Sequence, residues 1–270
     1  MGKLKQAAKR ALLKLGYRVE RLPPNNMGRF HPDVQASLTV KDLQFYTRWS
    51  KPYPLFSAWL GDREFRRHYE GIDRYTVVSP DRCYMLFALA RYASQLNGDF
   101  AECGVYRGGT ALLLSRILDS TSATKNLFLF DSFEGLPTSG AADNYYKGGE
   151  FSETSAGAVE NLLSKSQSAK VRKGWIPETF QGLEDHRFAF VHVDVDIYQS
   201  ALDCCSFFGP RMVPGGIMLF DEYGFPSARG EKDAVDQWCA GRAERPISLI
   251  SGQCMILKPL RTEEAPGGGS

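Results

Sequence analysis

Asp99-Phe-Ala-Glu102-Cys-Gly104-Val-Tyr106-Arg-Gly108-Gly109-Thr110 is a short apolar run that ends in a cluster of glycines and passes into an apolar helical stretch, Thr110–Leu118. Strand, tight turn and helix in that order form the unit from which parallel sheets are built. Outward from this stretch the alternation continues. Asn126–Asp131, Phe188–Val193 and Gly216–Asp221 are apolar runs of strand length, while Gln199–Phe208 and Lys232–Cys239 have helical spacing. Ile247–Ser251 and Gln253–Lys258 predict a terminal strand pair with a tight turn at Gly252. Upstream, Pro80 opens a helix running through Tyr92, and helical segments are expected around Leu43–Trp49 and Trp59–Tyr69. The expected fold class is α/β, a mostly parallel sheet with helices on both faces. Ligands of such sheets bind beyond the carboxyl ends of the strands, which singles out Glu102–Gly109, Asp131–Phe133, Asp194–Tyr198 and Asp221–Tyr223.

The composition sets bounds on function. The 270 residues are 43% hydrophobic and 24% charged with a formal net charge of +2, which gives a sizeable core and no case for nucleic-acid binding. Basic residues crowd the start, from Lys3 and Lys5 through Arg18 and Arg21, opposed there only by Glu20. Leu4, Ala8, Ala11, Leu12 and Leu15 share one helical face of that stretch, so Lys3–Leu15 predicts an amphipathic helix. Two readings stand: it docks on the main domain or on a second subunit, giving a homo-oligomer, or it rests on an anionic membrane surface. No apolar run is long enough to span a membrane, and no secretory signal is expected. The six cysteines form no Cys-x-x-Cys pair and are read as reduced core thiols of a cytoplasmic protein. Pro23–Thr39 looks like a linker and 261–270 like a flexible tail.

Each strand end carries its own chemistry. The glycines of the first site allow a tight turn and close ligand approach, with Gly104, Tyr106 and Gly108 as candidate contacts. The spacing is not Gly-x-Gly-x-x-Gly, so a dinucleotide is not indicated. Glu102 before the loop repels a pyrophosphate and suits a cation such as the amine of S-adenosylmethionine. Asp131, one βα unit later, is placed to accept hydrogen bonds from ribose hydroxyls, with Ser132 and Phe133 following it. His192-Val-Asp194-Val-Asp196 and Asp221-Glu222 bring several carboxylates to one rim. Such neighbours need a cation or a raised pKa. Oxygen-only donors suit Mg²⁺, Mn²⁺ or Ca²⁺ rather than zinc, although a solvated rim of turn-forming acids is the plain alternative. His192, inside its strand, is read as a packed core histidine.

Four stretches in order, Asp99–Thr110, Phe130–Pro137, Val191–Tyr198 and Pro214–Gly224, resemble the macrocin O-methyltransferase family, whose members methylate sugar hydroxyls of macrolides and related natural products. The resemblance covers roughly Tyr75 to Trp238. It implies a Rossmann-like methyltransferase fold, a mostly parallel seven-stranded sheet with a helical N-terminal extension. On this reading 1–75 is an extension with lid-like helices, 76–260 the S-adenosylmethionine-dependent domain and 261–270 the tail. It implies that Glu102 and Asp131 hold S-adenosylmethionine beside Gly104 and Ser132, and that Asp194, Asp221 and Glu222 hold Mg²⁺. Many relatives have aspartate where this chain has Glu222. Asp194 is then a cation ligand beside the cofactor that doubles as proton acceptor, with Asp196 as second choice. The acceptor is expected to be a small molecule or glycan. Asp194-Val-Asp196 also fits the Asp-x-Asp pattern of metal-dependent glycosyltransferases, and a non-catalytic scaffold is a third reading.

Overall fold

The computed structural model of the protein describes residues 58–260 except 122, 123, 139, 141 and 144. The basic helix, the linker, the segment Leu43–Trp49 and the tail lie outside the described residues. Among those described, no helix is long and apolar enough to cross a membrane.

The helices are α1 (Ala58–Gly61), α2 (Arg63–Tyr69), α3 (Pro80–Ala93), α4 (Gly109–Asp119), α5 (Ala156–Leu162), α6 (Tyr198–Phe208) and α7 (Arg229–Cys239). The strands are β1 (Asp99–Cys103), β2 (Leu127–Asp131), β3 (Ala169–Lys173), β4 (Phe188–Val193), β5 (Met212–Phe220), β6 (Pro246–Ser248) and β7 (Cys254–Leu257). They form one seven-stranded sheet in the order β3-β2-β1-β4-β5-β7-β6. The pairs from β3 to β5 are parallel, and β7 runs antiparallel to both β5 and β6.

Local chemistry explains the boundaries. The helix expected over Trp59–Tyr69 is two helices, because the Asp62 side chain accepts from the backbone N–H groups of Glu64 and Phe65 at 2.8 and 2.9 Å and starts a new one. Pro80 sits in the first turn of α3, where its missing N–H costs nothing. Gly252 turns the last hairpin with φ +89°. β3 and α5 carry no strong signal: β3 reads Ala-Lys-Val-Arg-Lys and lies half-exposed at the sheet edge.

Both faces of the sheet are covered. On one, Leu86, Phe87, Leu113 and Leu114 of α3 and α4 pack with Phe100, Phe190 and Leu219. Phe65 and Ile72, expected in the extension, are buried in this same core. On the other, Cys204, Cys205 and Phe208 of α6 and Trp238 of α7 pack with Ala101, Cys103, Val191 and Val193. All six cysteines are buried and free. After β1 the chain moves outward to β2 and β3, then returns to β4 on the other flank of β1. The sheet therefore changes direction between β1 and β4, and a crevice opens beyond their carboxyl ends.

Candidate active site

A cleft lies at that crevice, with about 980 Å³ of empty space including its open mouth. That is the size of a small-molecule or cofactor site, about 300–1,000 Å³. Its walls come from the tips of β1, β2, β4 and β5, from the loop after β3 and from the start of α3.

One half is built largely of backbone. Gly104 follows β1 with φ +85°, and a Cβ there would meet the Asp194 carbonyl oxygen at 1.8 Å. Only glycine fits, and what it approaches is the end of β4 rather than a ligand. At the tip of β2, Asp131 Oδ2 accepts from the N–H groups of Val105 and Tyr106, each at 2.8 Å, and Oδ1 accepts from Phe133 N–H at 2.6 Å. A carboxylate has about four acceptor positions, so one remains on Oδ1. Tyr106 has φ +51° and packs edge-on against Phe151, whose φ is +63°. Left-handed non-glycine backbone of this kind needs the surrounding structure to hold it.

The other half is crowded with charge. Side chains alternate along a strand, so Glu102, His192 and Asp221 share the face of Phe100, Phe190 and Leu219, and Glu102 pairs in register with His192. His192 Nδ1 lies 2.8 Å from Glu102 Oε1 and Nε2 lies 3.5 Å from Asp221 Oδ1. Burial pulls the imidazole pKa down, but these two carboxylates outweigh it and push it up to about 10. Asp221 Oδ1 also accepts from Gln253 Nε2 at 2.6 Å, and Oδ2 accepts from Arg82 Nη1 at 2.5 Å. Although burial opposes it, Asp221 is held below the usual carboxylate range by His192 and Arg82. The same Nη1 donates to Glu222 Oε1. Burial pushes Glu222 up to about 7 despite Arg82, and Asp196 up to about 6 despite the Tyr146 hydroxyl that donates to it at 2.8 Å. Asp194 is raised well above the usual range by burial and by Asp221, and so is fully buried Glu231 by burial, whose Oε1 accepts from Glu222 N–H at 2.9 Å. Glu102, Asp194, Asp196, Asp221, Glu222 and Glu231 thus face two cations, Arg82 and His192. The surplus is negative, and such a site favours either protons or a bound cation.

Of the residues expected around a cofactor, Gly104, Tyr106, Asp131, Ser132 and Asp194 line the cleft, while Glu102, Gly108 and Phe133 lie behind it. Glu102 Oε1 pairs with His192 while its buried Oε2 has no hydrogen-bond partner among the described residues, Gly108 caps α4 with φ +86°, and Phe133 is core. His192 is buried as expected, and it is bonded rather than inert, with Nδ1 on Glu102 and Nε2 toward Asp221. His192, Asp194 and Asp221 have ligand atoms within 4.8 Å of one another, the spacing of a metal group. His192 already pairs with Glu102 through Nδ1, and its Nε2, 3.5 Å from Asp221 Oδ1, is the nitrogen on the side of Asp221. Glu222 lies outside that trio, on Arg82. Sequence reading passed over Arg82, Tyr146, Phe151 and Trp175, all of which line the cleft. Arg82 sits 139 residues from Asp221, and no local pattern joins them.

The same segments carry a family signature. The macrocin O-methyltransferase (TylF) family model matches residues 74–258, which takes in every described strand and the residues that wall the cleft. The chain belongs to this family. Among its relatives is the 8-demethyl-8-(2,3-dimethoxy-alpha-L-rhamnosyl)-tetracenomycin-C 4'-O-methyltransferase of Streptomyces olivaceus, 30% identical over 174 residues, 59% of this chain and 65% of that protein. The mycinamicin III 3''-O-methyltransferase of Micromonospora griseorubida is 27% identical over 146 residues, 49% of this chain and 58% of that protein. The chain therefore spans less than two thirds of the length of either relative. The solved O-methyltransferase NovP superposes with a TM-score of 0.60 at 22% identity, over 68% of this chain and 82% of that one. The fold of this macrocin O-methyltransferase family member is thus the Rossmann-like methyltransferase fold.

Proposed function

We propose that this chain methylates a hydroxyl on the sugar of a glycosylated small molecule or glycan, using S-adenosylmethionine and aided by a divalent cation. The observation that carries the reading is that two differently built carboxylate groups open into one cleft: Asp131 beside the glycine loop, and Asp194, Asp196 and Glu222 opposite. The donor chemistry suits both groups proposed for it. Asp131 retains acceptor capacity for a ribose hydroxyl, and a surplus of buried carboxylate suits a sulfonium. Asp194, Asp221 and Glu222 offer the oxygen donors that a hard dication takes.

S-adenosylmethionine supplies the electrophilic methyl group, and Mg²⁺ supplies Lewis acidity toward the hydroxyl. The protein's part is placement and proton handling. A sugar hydroxyl loses its proton near pH 15, about 11 units above an ordinary carboxylate, a gap on the order of 15 kcal/mol. Burial and the neighbouring Asp221 raise Asp194, which lines the cleft, and so narrow that gap from the carboxylate side. Asp196, with φ +63° and held by Tyr146, is fixed in orientation and serves as the second candidate. The walls at Val77, Tyr146, Phe151 and Trp175 are apolar or aromatic and suit the carbon faces of a glycoside. A glycosyltransferase built on Asp194-Val-Asp196 would leave Asp131 and the glycine loop without a role.

Incubation of the full chain with methyl-labelled S-adenosylmethionine and a panel of glycosides, with Mg²⁺ or EDTA, tests the proposal. Label is expected in a sugar ether only when Mg²⁺ is present. Full transfer in EDTA removes the cation from the scheme, and stabilisation by a sugar nucleotide in place of S-adenosylhomocysteine overturns the methyltransferase reading.

A further inference from the structure

Among the described residues, Arg82 is a cation of the cleft wall that the proposed chemistry does not use. It enters from the first turn of α3, and its side chain is 10% exposed. Nε donates to Ser79 Oγ at 3.3 Å, and the guanidinium lies over the Phe225 ring at 4.9 Å. Nη1 stands 2.5 Å from Asp221 Oδ2 and also bonds Glu222 Oε1. A Ca²⁺ or Mg²⁺ ion bridging those two oxygens needs to be about 2.0–2.6 Å from each. The nitrogen therefore fills the point such an ion requires. On Asp221, Oδ1 already accepts from Gln253 at 2.6 Å and lies 3.5 Å from His192 Nε2, so Oδ2 is the oxygen that shares Nη1 with Glu222. Among the described residues no hydrogen-bond donor reaches the carboxylate of Asp194, the third proposed ligand, so part of the group stays open for a cation.

We propose that Arg82 is an internal counter-ion that holds the cation's seat between Asp221 and Glu222, and that the divalent cation binds this chain by displacing it. The inference rests on the cation-assisted reading above. It makes cation affinity an exchange: a dication gains the carboxylates only after the guanidinium gives them up, and two positive groups cannot share them at this spacing. Arg82 thus sets how tightly, and at what concentration, the cation is taken up. Its anchors on Ser79 and Phe225 are part of that setting, since the Ser79 hydroxyl and the Phe225 ring hold the guanidinium in the seat, while Phe225 meets Glu222 only through its backbone N–H.

The test is Mn²⁺ binding to the full chain at pH 8, read as loss of the free-ion electron paramagnetic resonance signal after EDTA treatment and dialysis. Wild type is compared with Arg82→Met, Phe225→Leu and Asp194→Asn. Removing the competitor in Arg82→Met is expected to tighten binding at least about tenfold, because a buried like charge is lost from the site. Phe225→Leu keeps every charge and loosens only the anchor, so a tightening of about threefold is expected, the size of one exposed cation–π contact. Asp194→Asn weakens binding. Arg82→Met leaves buried acids without a partner, so its thermal midpoint is expected to rise more on Mn²⁺ addition than that of wild type. If it does not fold, Phe225→Leu decides. Equal or weaker Mn²⁺ binding in Arg82→Met, or in Phe225→Leu when that variant decides, overturns the role of Arg82 while leaving the cation reading intact. Absence of binding in all four proteins removes the cation and the competitor together.

Discussion

The two halves of the cleft hold their carboxylates by different means. At the tip of β2, Asp131 is satisfied by three backbone N–H groups from Val105, Tyr106 and Phe133. Those donors are fixed by the course of the chain and cannot exchange. At the tips of β4 and β5, Asp221 and Glu222 are satisfied by side chains, above all by Arg82, and Asp194 stays raised by burial beside them. Side-chain donors can rotate away and be replaced. The difference shows how one sheet edge supports both a permanent seat and an adjustable one. Backbone donors make a seat that is ready before any ligand arrives, while a cluster short of positive charge stays responsive to protons, metal and substrate.

The sharpest way to break this comparison is Asp194→Asn, which removes the acid proposed to do chemistry and leaves the β2 side untouched. Methyl transfer is expected to fall by at least about a thousandfold, the upper range for losing one transition-state charge contact. Calorimetric affinity for S-adenosylhomocysteine should stay within a few-fold, and a large loss there would mean that the halves are not separable. Asp131→Ala works in the opposite direction. It leaves three N–H groups without an acceptor and removes the proposed ribose partner, so cofactor affinity should drop about 10–100-fold. Affinity equal to wild type would make Asp131 a brace for the loop and nothing more.

The smallest effect is on stability. Glu222 is raised from 4.5 to about 7 and Asp196 from 3.8 to about 6, so the folded chain binds more protons than the unfolded one across that interval. Their contribution is complete below the unfolded values and is lost as pH rises through the folded ones. The thermal midpoint of the cation-free chain should therefore fall by a few degrees between about pH 4.5 and 7, and Mg²⁺ should flatten the slope. A midpoint that climbs over that interval in calorimetry would mean that the acids are already neutralised by partners.

Much of this architecture is legible in the sequence, because central parallel strands are buried on both faces and so read as continuous apolar runs. β4, Phe-Ala-Phe-Val-His-Val, is buried throughout and was delimited residue for residue. The edge strand β3 alternates charge with small or apolar residues and has one side in solvent, so it resembles a loop. The site divides in the same way. Asp131, Asp194 and Asp221 are found because they end apolar runs. Arg82 is invisible, because its partners lie in a different third of the chain and only the packing of α3 on the sheet brings them together. Glu102 illustrates another limit: position alone points to a ligand, and what it does not reveal is that register with β4 also sets Oε1 on His192.

Gly104 joins the two halves. With the Asp194 carbonyl pressed against the space its missing side chain would occupy, and Asp194 N–H donating to Cys103 C=O at 2.8 Å, the glycine loop and the acid at the tip of β4 are parts of one backbone joint. The gap between the seats proposed for donor and acceptor is thus dimensioned by main chain, like the fixed jaw of a gauge. On the proposed chemistry, a different acceptor would be accommodated by recutting the outer walls at Val77, Tyr146 and Trp175 rather than by respacing the jaw.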